Sequence, residues 1–218
     1  MRIRTVKALV VATALGPVAW LLHAAFTGGL GANPIDKITD ETGTWTLRLL
    51  LATLAVTPLR RLTGWNEVIR VRRLLGLAAF SYGSLHFLTY VVLDQFFAFD
   101  LMAKDVVKRP FITVGFTGFV LMVPLAVTST AGWIRRLGGR RWARLHRLVY
   151  VSAAAGVVHY YWLVKADTSR PVRYGVVLAT LLGLRATLAW RGASARGGAP
   201  VNPSRPGAAG RPAGGRHP

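Results

Sequence analysis

RLHRLVYVSAAAGVVHYYWLVKAD, residues 144–167, sets two histidines, His146 and His159, in a run that is otherwise apolar or small. From Leu148 to Val164 there is no charged residue. A helix needs about 20 apolar residues to cross about 30 Å of hydrocarbon, so the stretch reads as a membrane span over 146–164. That reading organises the rest of the chain.

Working outward, five more apolar runs of similar length occur, at 8–26, 45–62, 74–93, 111–128 and 172–190. Pro58 and Pro124 lie near the ends of the second and fourth. The first run follows a basic MRIRTVK and has the outline of a signal peptide, but its length favours a retained helix. The expected fold class is all-α: a polytopic six-helix membrane bundle over residues 1–191, with both termini inside.

Charge placement sets that orientation. With the N-terminus inside, the inner segments carry Arg2, Arg4, Lys7, Arg60, Arg61, Arg70, Arg72, Arg73, Arg135, Arg136, Arg140, Arg141 and Arg144. The outer loops carry only Lys37, Lys104, Lys108, Arg109, Lys165, Arg170 and Arg173, the asymmetry that the positive-inside rule demands. Seven of the eight acidic residues fall in the outer loops, and only Glu67 falls inside. The formal net charge of +20 is therefore a topology signal and not the basic face of a nucleic-acid binder. Residues 192–218, GASARGGAPVNPSRPGAAGRPAGGRHP, have little to bury and are expected to form a disordered cytoplasmic tail. The chain has no cysteine, which excludes disulfides, thiolate metal sites and covalent haem attachment. No phosphate-cradling loop or dinucleotide fingerprint is present.

Histidine inside a membrane usually faces the bundle interior and marks a site. His23 alone is read as a structural histidine. His86 lies about eight residues before Asp94, and His159 about six before Lys165. At ~1.5 Å per residue, both sit about 9–12 Å below the outer boundary, on different helices. Two imidazoles at one depth can ligate one haem iron from both faces. His146 sits thirteen residues before His159, about 20 Å deeper and on another side of the helix, so the two do not form one site. At its level the third span offers Arg72 and Arg73 and no histidine. Arg73, Arg144 and Arg147 are candidates to pair with haem propionates or a flavin phosphate, with interfacial snorkelling as the ordinary alternative. The small residues Gly83, Ser84, Ala153, Ala154, Ala155 and Gly156 either let helices approach closely or leave room for a flat macrocycle.

The segments RRLLGLAAFSYGSLHFLTYVVLD (72–94), RWARLHRLVYVSAAAGVVHYYWLVKAD (141–167), TGTWTLRLLLATLAVTPLRR (42–61) and KRPFITVGFTGFVLMVPLAVTS (108–129) closely resemble the MsrQ family, formerly YedZ. That family belongs to the ferric-reductase-like transmembrane group. The resemblance implies b-type haem, one or two copies, in the bacterial inner membrane. It implies electrons drawn from the quinone pool, or from a cytosolic flavin reductase. These would pass to MsrP, a periplasmic molybdopterin subunit that reduces methionine sulfoxide in oxidised envelope proteins. FMN binding is also credited to the family. By motif, His86 and His159 fall on haem-ligand positions and His146 on the family's third histidine. Oxidases of the wider group carry two histidines on each of two helices. This chain has only one on the third span, which leaves two roles open for His146: ligand of a second haem with an unusual partner, or part of a quinone or flavin site.

Two competing classes are a proton or solute transporter with histidines in its path, and a passive membrane anchor. A transporter predicts acids deep in the spans or broken helices, and the spans hold no Asp or Glu well inside them. The expected chain is a redox subunit with no catalytic residues for sulfoxide reduction of its own. Its partners would be the quinone pool, membrane lipid and MsrP, with no nucleic acid.

Overall fold

The computed structural model describes residues 3–197, with side-chain surroundings through Arg191. It is helical throughout, with no strand among the described residues. Six long helices correspond to the six apolar runs: α1 (Ile3–Thr27), α2 (Pro34–Thr63), α3 (Arg72–Leu88), α5 (Pro110–Val127), α8 (Leu148–Leu163) and α9 (Ser169–Gly197). Shorter helices α4 (Phe99–Lys108), α6 (Ala131–Leu137) and α7 (Gly139–Leu145) occupy segments that hydropathy alone reads as loops. By length and apolarity, α1, the stretch Asn66–Asp94, α5 and Ser169–Arg191 suffice to cross a membrane. The chain is thus an all-α membrane bundle. The other two long helices differ: α2 carries acids and arginines toward its ends and Arg48 within, and α8 has only 16 residues.

Local chemistry explains where these helices begin and end. The α2 helix starts eleven residues before the expected position 45, because Asn33 caps it, its side chain accepting from the Asp36 amide at 3.3 Å. Pro34 suits the first helical position, where no N–H is needed. It stops at Gly64, whose φ of 71° closes the left-handed cap with an N–H bond to the Arg60 carbonyl. The expected third span ends as a π-helical turn, Thr89–Asp94, immediately after the turn that carries His86. At the far end, α9 runs on to Gly197, past the expected tail boundary at 191; Ala193, Ala195 and Arg196 are good helix formers. Residues 198–218, the rest of that tail, and His217 lie outside the described residues.

The core gathers Leu47, Leu50, Leu51 and Leu54 of α2, Ala79 and Tyr82 of α3, Met122 of α5, Val149 and Ala153 of α8, and Leu178 of α9. α2 is central, packing on α3, α8 and α9, while α5 pairs with α8. α1 is tied on by the Tyr82 hydroxyl, which donates to the Ala14 carbonyl at 2.6 Å.

Pro58 does not end α2. It has no N–H to return to the Leu54 carbonyl four residues back. Arg185 of α9 supplies the donors instead, Nε at 3.1 Å and Nη2 at 2.7 Å, while its Nη1 donates to the Tyr150 hydroxyl at 2.7 Å. A buried backbone acceptor in an apolar medium must be satisfied from somewhere, and here one arginine joins three helices to do it.

Candidate functional site

His86 on α3 and His159 on α8 face one another with ring centroids 6.1 Å apart and planes 77° from parallel. Both rings are half-buried. His86 Nδ1 bonds the Thr39 carbonyl of α2 at 3.0 Å, and His159 Nδ1 bonds the Phe111 carbonyl of α5 at 2.7 Å. A carbonyl can only accept, so each Nδ1 carries the proton and each Nε2 keeps its lone pair. Such a second-shell bond sets tautomer and ring orientation in metal-ligating histidines.

The two sockets are built alike. Gly43 lies four residues after Thr39, and Gly115 four after Phe111, beside the same carbonyl on the next helical turn. A Cβ at Gly43 would come within 2.9 Å of His86 Cε1, and one at Gly115 within 2.6 Å of His159 Nδ1. Each imidazole therefore lies against bare helix backbone. The small residues singled out from sequence do other work: Gly83 is filled by Phe119 and Thr46, Gly156 by Leu47, and Gly118 packs against Ala155. Stacked Phe80, Phe119 and Phe87 join α3 to α5 beside the histidines.

The pair fits a haem iron. Two metal–imidazole bonds of about 2 Å each put the coordinating nitrogens about 4 Å apart, and the centroids lie one ring radius further out on each side. A separation of 6.1 Å suits that arrangement. Among the described residues no group of three or more His, Cys, Asp or Glu side chains could hold a metal ion.

His146 is separate. It falls in the turn between α7 and α8, just outside the α8 span. Its ring stacks on Trp142 at 3.9 Å, and its Nε2 lies 3.1 Å from the Thr128 hydroxyl. Trp142 Nε1 in turn donates to the Thr128 carbonyl at 2.9 Å. Burial, and then the nearby Arg72 cation, hold its imidazole below the ordinary range and so keep it neutral. Of the arginines expected near a cofactor, Arg73, Arg144 and Arg147 are exposed, whereas Arg72 is the one beside His146. His23 is exposed on α1.

Four residues that hydropathy and histidine spacing did not single out matter here: Gly43, Gly115, Arg48 and Arg185. A glycine four residues after a carbonyl, and an arginine inside an apolar run, are visible signals. What they face is not.

A family model for the ferric reductase like transmembrane component matches residues 42–157. The chain is similar to the protein-methionine-sulfoxide reductase heme-binding subunit MsrQ of Herminiimonas arsenicoxydans, 54% identical over 188 residues, covering 85% of this chain and 86% of that one. The protein of the same name from Ralstonia nicotianae is 54% identical over 193 residues, covering 88% and 89%. That from Caulobacter vibrioides is 51% identical over 177 residues, covering 81% and 84%.

Proposed function

The chain belongs to the ferric reductase-like transmembrane family and, within it, to the MsrQ proteins, and from that premise we propose that it is a haem-binding electron-transfer subunit of a methionine-sulfoxide reductase system. His86 and His159 would be the axial ligands of a b-type haem, which when bound supplies a one-electron redox centre. The observation that carries this reading is the 6.1 Å ring pair with both Nδ1 atoms committed to backbone carbonyls. Each histidine thereby offers Nε2 in the tautomer that ligation needs.

The six long helices would each cross the bacterial inner membrane, with the arginine-rich end in the cytoplasm and the acidic end outside. The histidine pair would then stand nearer the periplasmic face, where a docked molybdopterin subunit, MsrP, could accept electrons and repair oxidised envelope proteins. The quinone pool, or a cytosolic flavin reductase, would be the donor. His146, with Arg72 beside it, marks the inner level, where a second haem or FMN would bind.

The test is the visible spectrum of the purified protein. A sharp Soret band, with a b-type α band on reduction, is expected. Protein that stays colourless when expressed with ample haem refutes the reading. His86→Ala and His159→Ala should each remove the low-spin haem of this site, and full retention in both would discard the ligand assignment.

A further inference from the structure

Arg48 on α2 and Arg185 on α9 lie well inside their helices, away from either end, and neither has a carboxylate partner among the described residues. An ionised side chain at such depth is costly and marks a function by default. Arg185 is accounted for: its donors close the Leu54 carbonyl freed by Pro58 and reach Tyr150. Arg48 is not. Its Nε donates to the Tyr174 hydroxyl of α9 at 3.0 Å and its guanidinium lies 5.0 Å above the Trp45 ring. Its two terminal nitrogens make no hydrogen bond among the described residues, and the side chain is exposed. The Tyr174 hydroxyl accepts that bond and keeps its own proton free to donate.

Arg48 follows Gly43 by five residues, about 140° round the helix, so it points away from the face that receives His86. It cannot be a wall of the histidine pair. It lies seven residues beyond Glu41, the last acid of α2, about 10 Å along the axis. Flat aromatic side chains surround it: Trp45, Tyr174, and Tyr160, whose ring is 6.2 Å from that of Tyr174. Tyr160 is next in sequence to His159, and Trp45 is two residues from Gly43. The site is thus a pair of hydrogen-bond donors, Arg48 and Tyr174, edged by aromatic rings, with the Asp40 carboxylate and Arg170 beside Tyr160 at its outer margin.

We propose that Arg48, Tyr174 and Trp45 form a binding site for the head group of a quinone on the exposed face where α2 meets α9. The quinone carbonyl is a neutral, planar acceptor. It satisfies the free N–H and O–H groups without burying a second charge, and its ring stacks where a phosphate could not. Lipid phosphates have other cations at the rim, Lys37 and Arg173, while Arg170 is engaged with Tyr160. The inference rests on the quinone-donor reading above and gives it a location.

The probe is decylubiquinone, and the readout is equilibrium binding to the haem-loaded protein in phosphatidylcholine nanodiscs. Wild type should bind. Arg48→Gln and Tyr174→Phe should each weaken binding about tenfold or more, the loss expected for one hydrogen bond to a charged group. Haem content and Soret position should be unchanged, because neither residue touches the histidines, and Tyr174→Phe removes only a hydroxyl. Equal binding in both variants overturns the site while leaving the donor reading standing. Wild type that binds no quinone overturns both. Phosphatidylglycerol that displaces the probe only when Arg48 is present identifies a lipid head-group site and overturns the proposal.

Discussion

At residue 115 a single methyl group decides the geometry of a histidine. Gly115→Ala would put its Cβ 2.6 Å from His159 Nδ1, and since the contact is a ring wedged against backbone, the ring must leave. The hydrogen bond to Phe111 goes with it, and the haem content of the purified protein is expected to fall steeply. Gly183→Ala on α9 is the control: nothing lies within 4 Å of the added methyl, and alanine favours a helix by about 1 kcal/mol over glycine, so its thermal midpoint should hold or rise. A similar result with unchanged haem for Gly115→Ala would dismiss the socket. Ser152 offers a contrasting case. Its hydroxyl is buried, at 2% exposure, with no hydrogen-bond partner. Removing an unsatisfied polar atom relieves a desolvation penalty, so Ser152→Ala is expected to be neutral or stabilising in a thermal melt.

At the scale of elements, the joint between α2 and α9 tests whether Arg185 is there for Pro58. Arg185→Leu strands the Leu54 carbonyl and should cost about 1–3 kcal/mol, read as a lower thermal midpoint in detergent. Pro58→Ala restores the N–H that α2 lacks. In the double variant Leu54 is satisfied within its own helix, so the loss from Arg185→Leu should shrink. Simple additivity in this cycle would mean that the two residues are not coupled. The sequence places Pro58 inside the run 45–62 and near its end, and the outcome is a 30-residue helix that continues past it. A proline is tolerated inside a membrane helix when a neighbour replaces the missing donor, and here that neighbour lies more than a hundred residues away.

For the whole molecule, the arginine-rich and acidic ends predict opposite sides of a membrane. The chain has no cysteine, so single introduced thiols report cleanly. In intact cells Asp100→Cys should react with a membrane-impermeant maleimide and Arg140→Cys should not; the reverse pattern would invert the proposed topology. Much of this was legible beforehand. The positions of the long helices, the paired levels of His86 and His159, and the isolation of His146 follow from apolar run length, charge asymmetry and a fixed rise per residue. These are properties of the chain along its axis, and the bilayer enforces them on any helix of that composition. What the tertiary structure alone decided is azimuth and register: which carbonyl each imidazole bonds, why Gly43 and Gly115 are bare, why Arg185 is consumed and Arg48 is not. Lipid-facing and core-facing positions are equally apolar in a membrane helix, so hydropathy carries no rotation signal. Only the packing of one helix surface against another fixes where each side chain points.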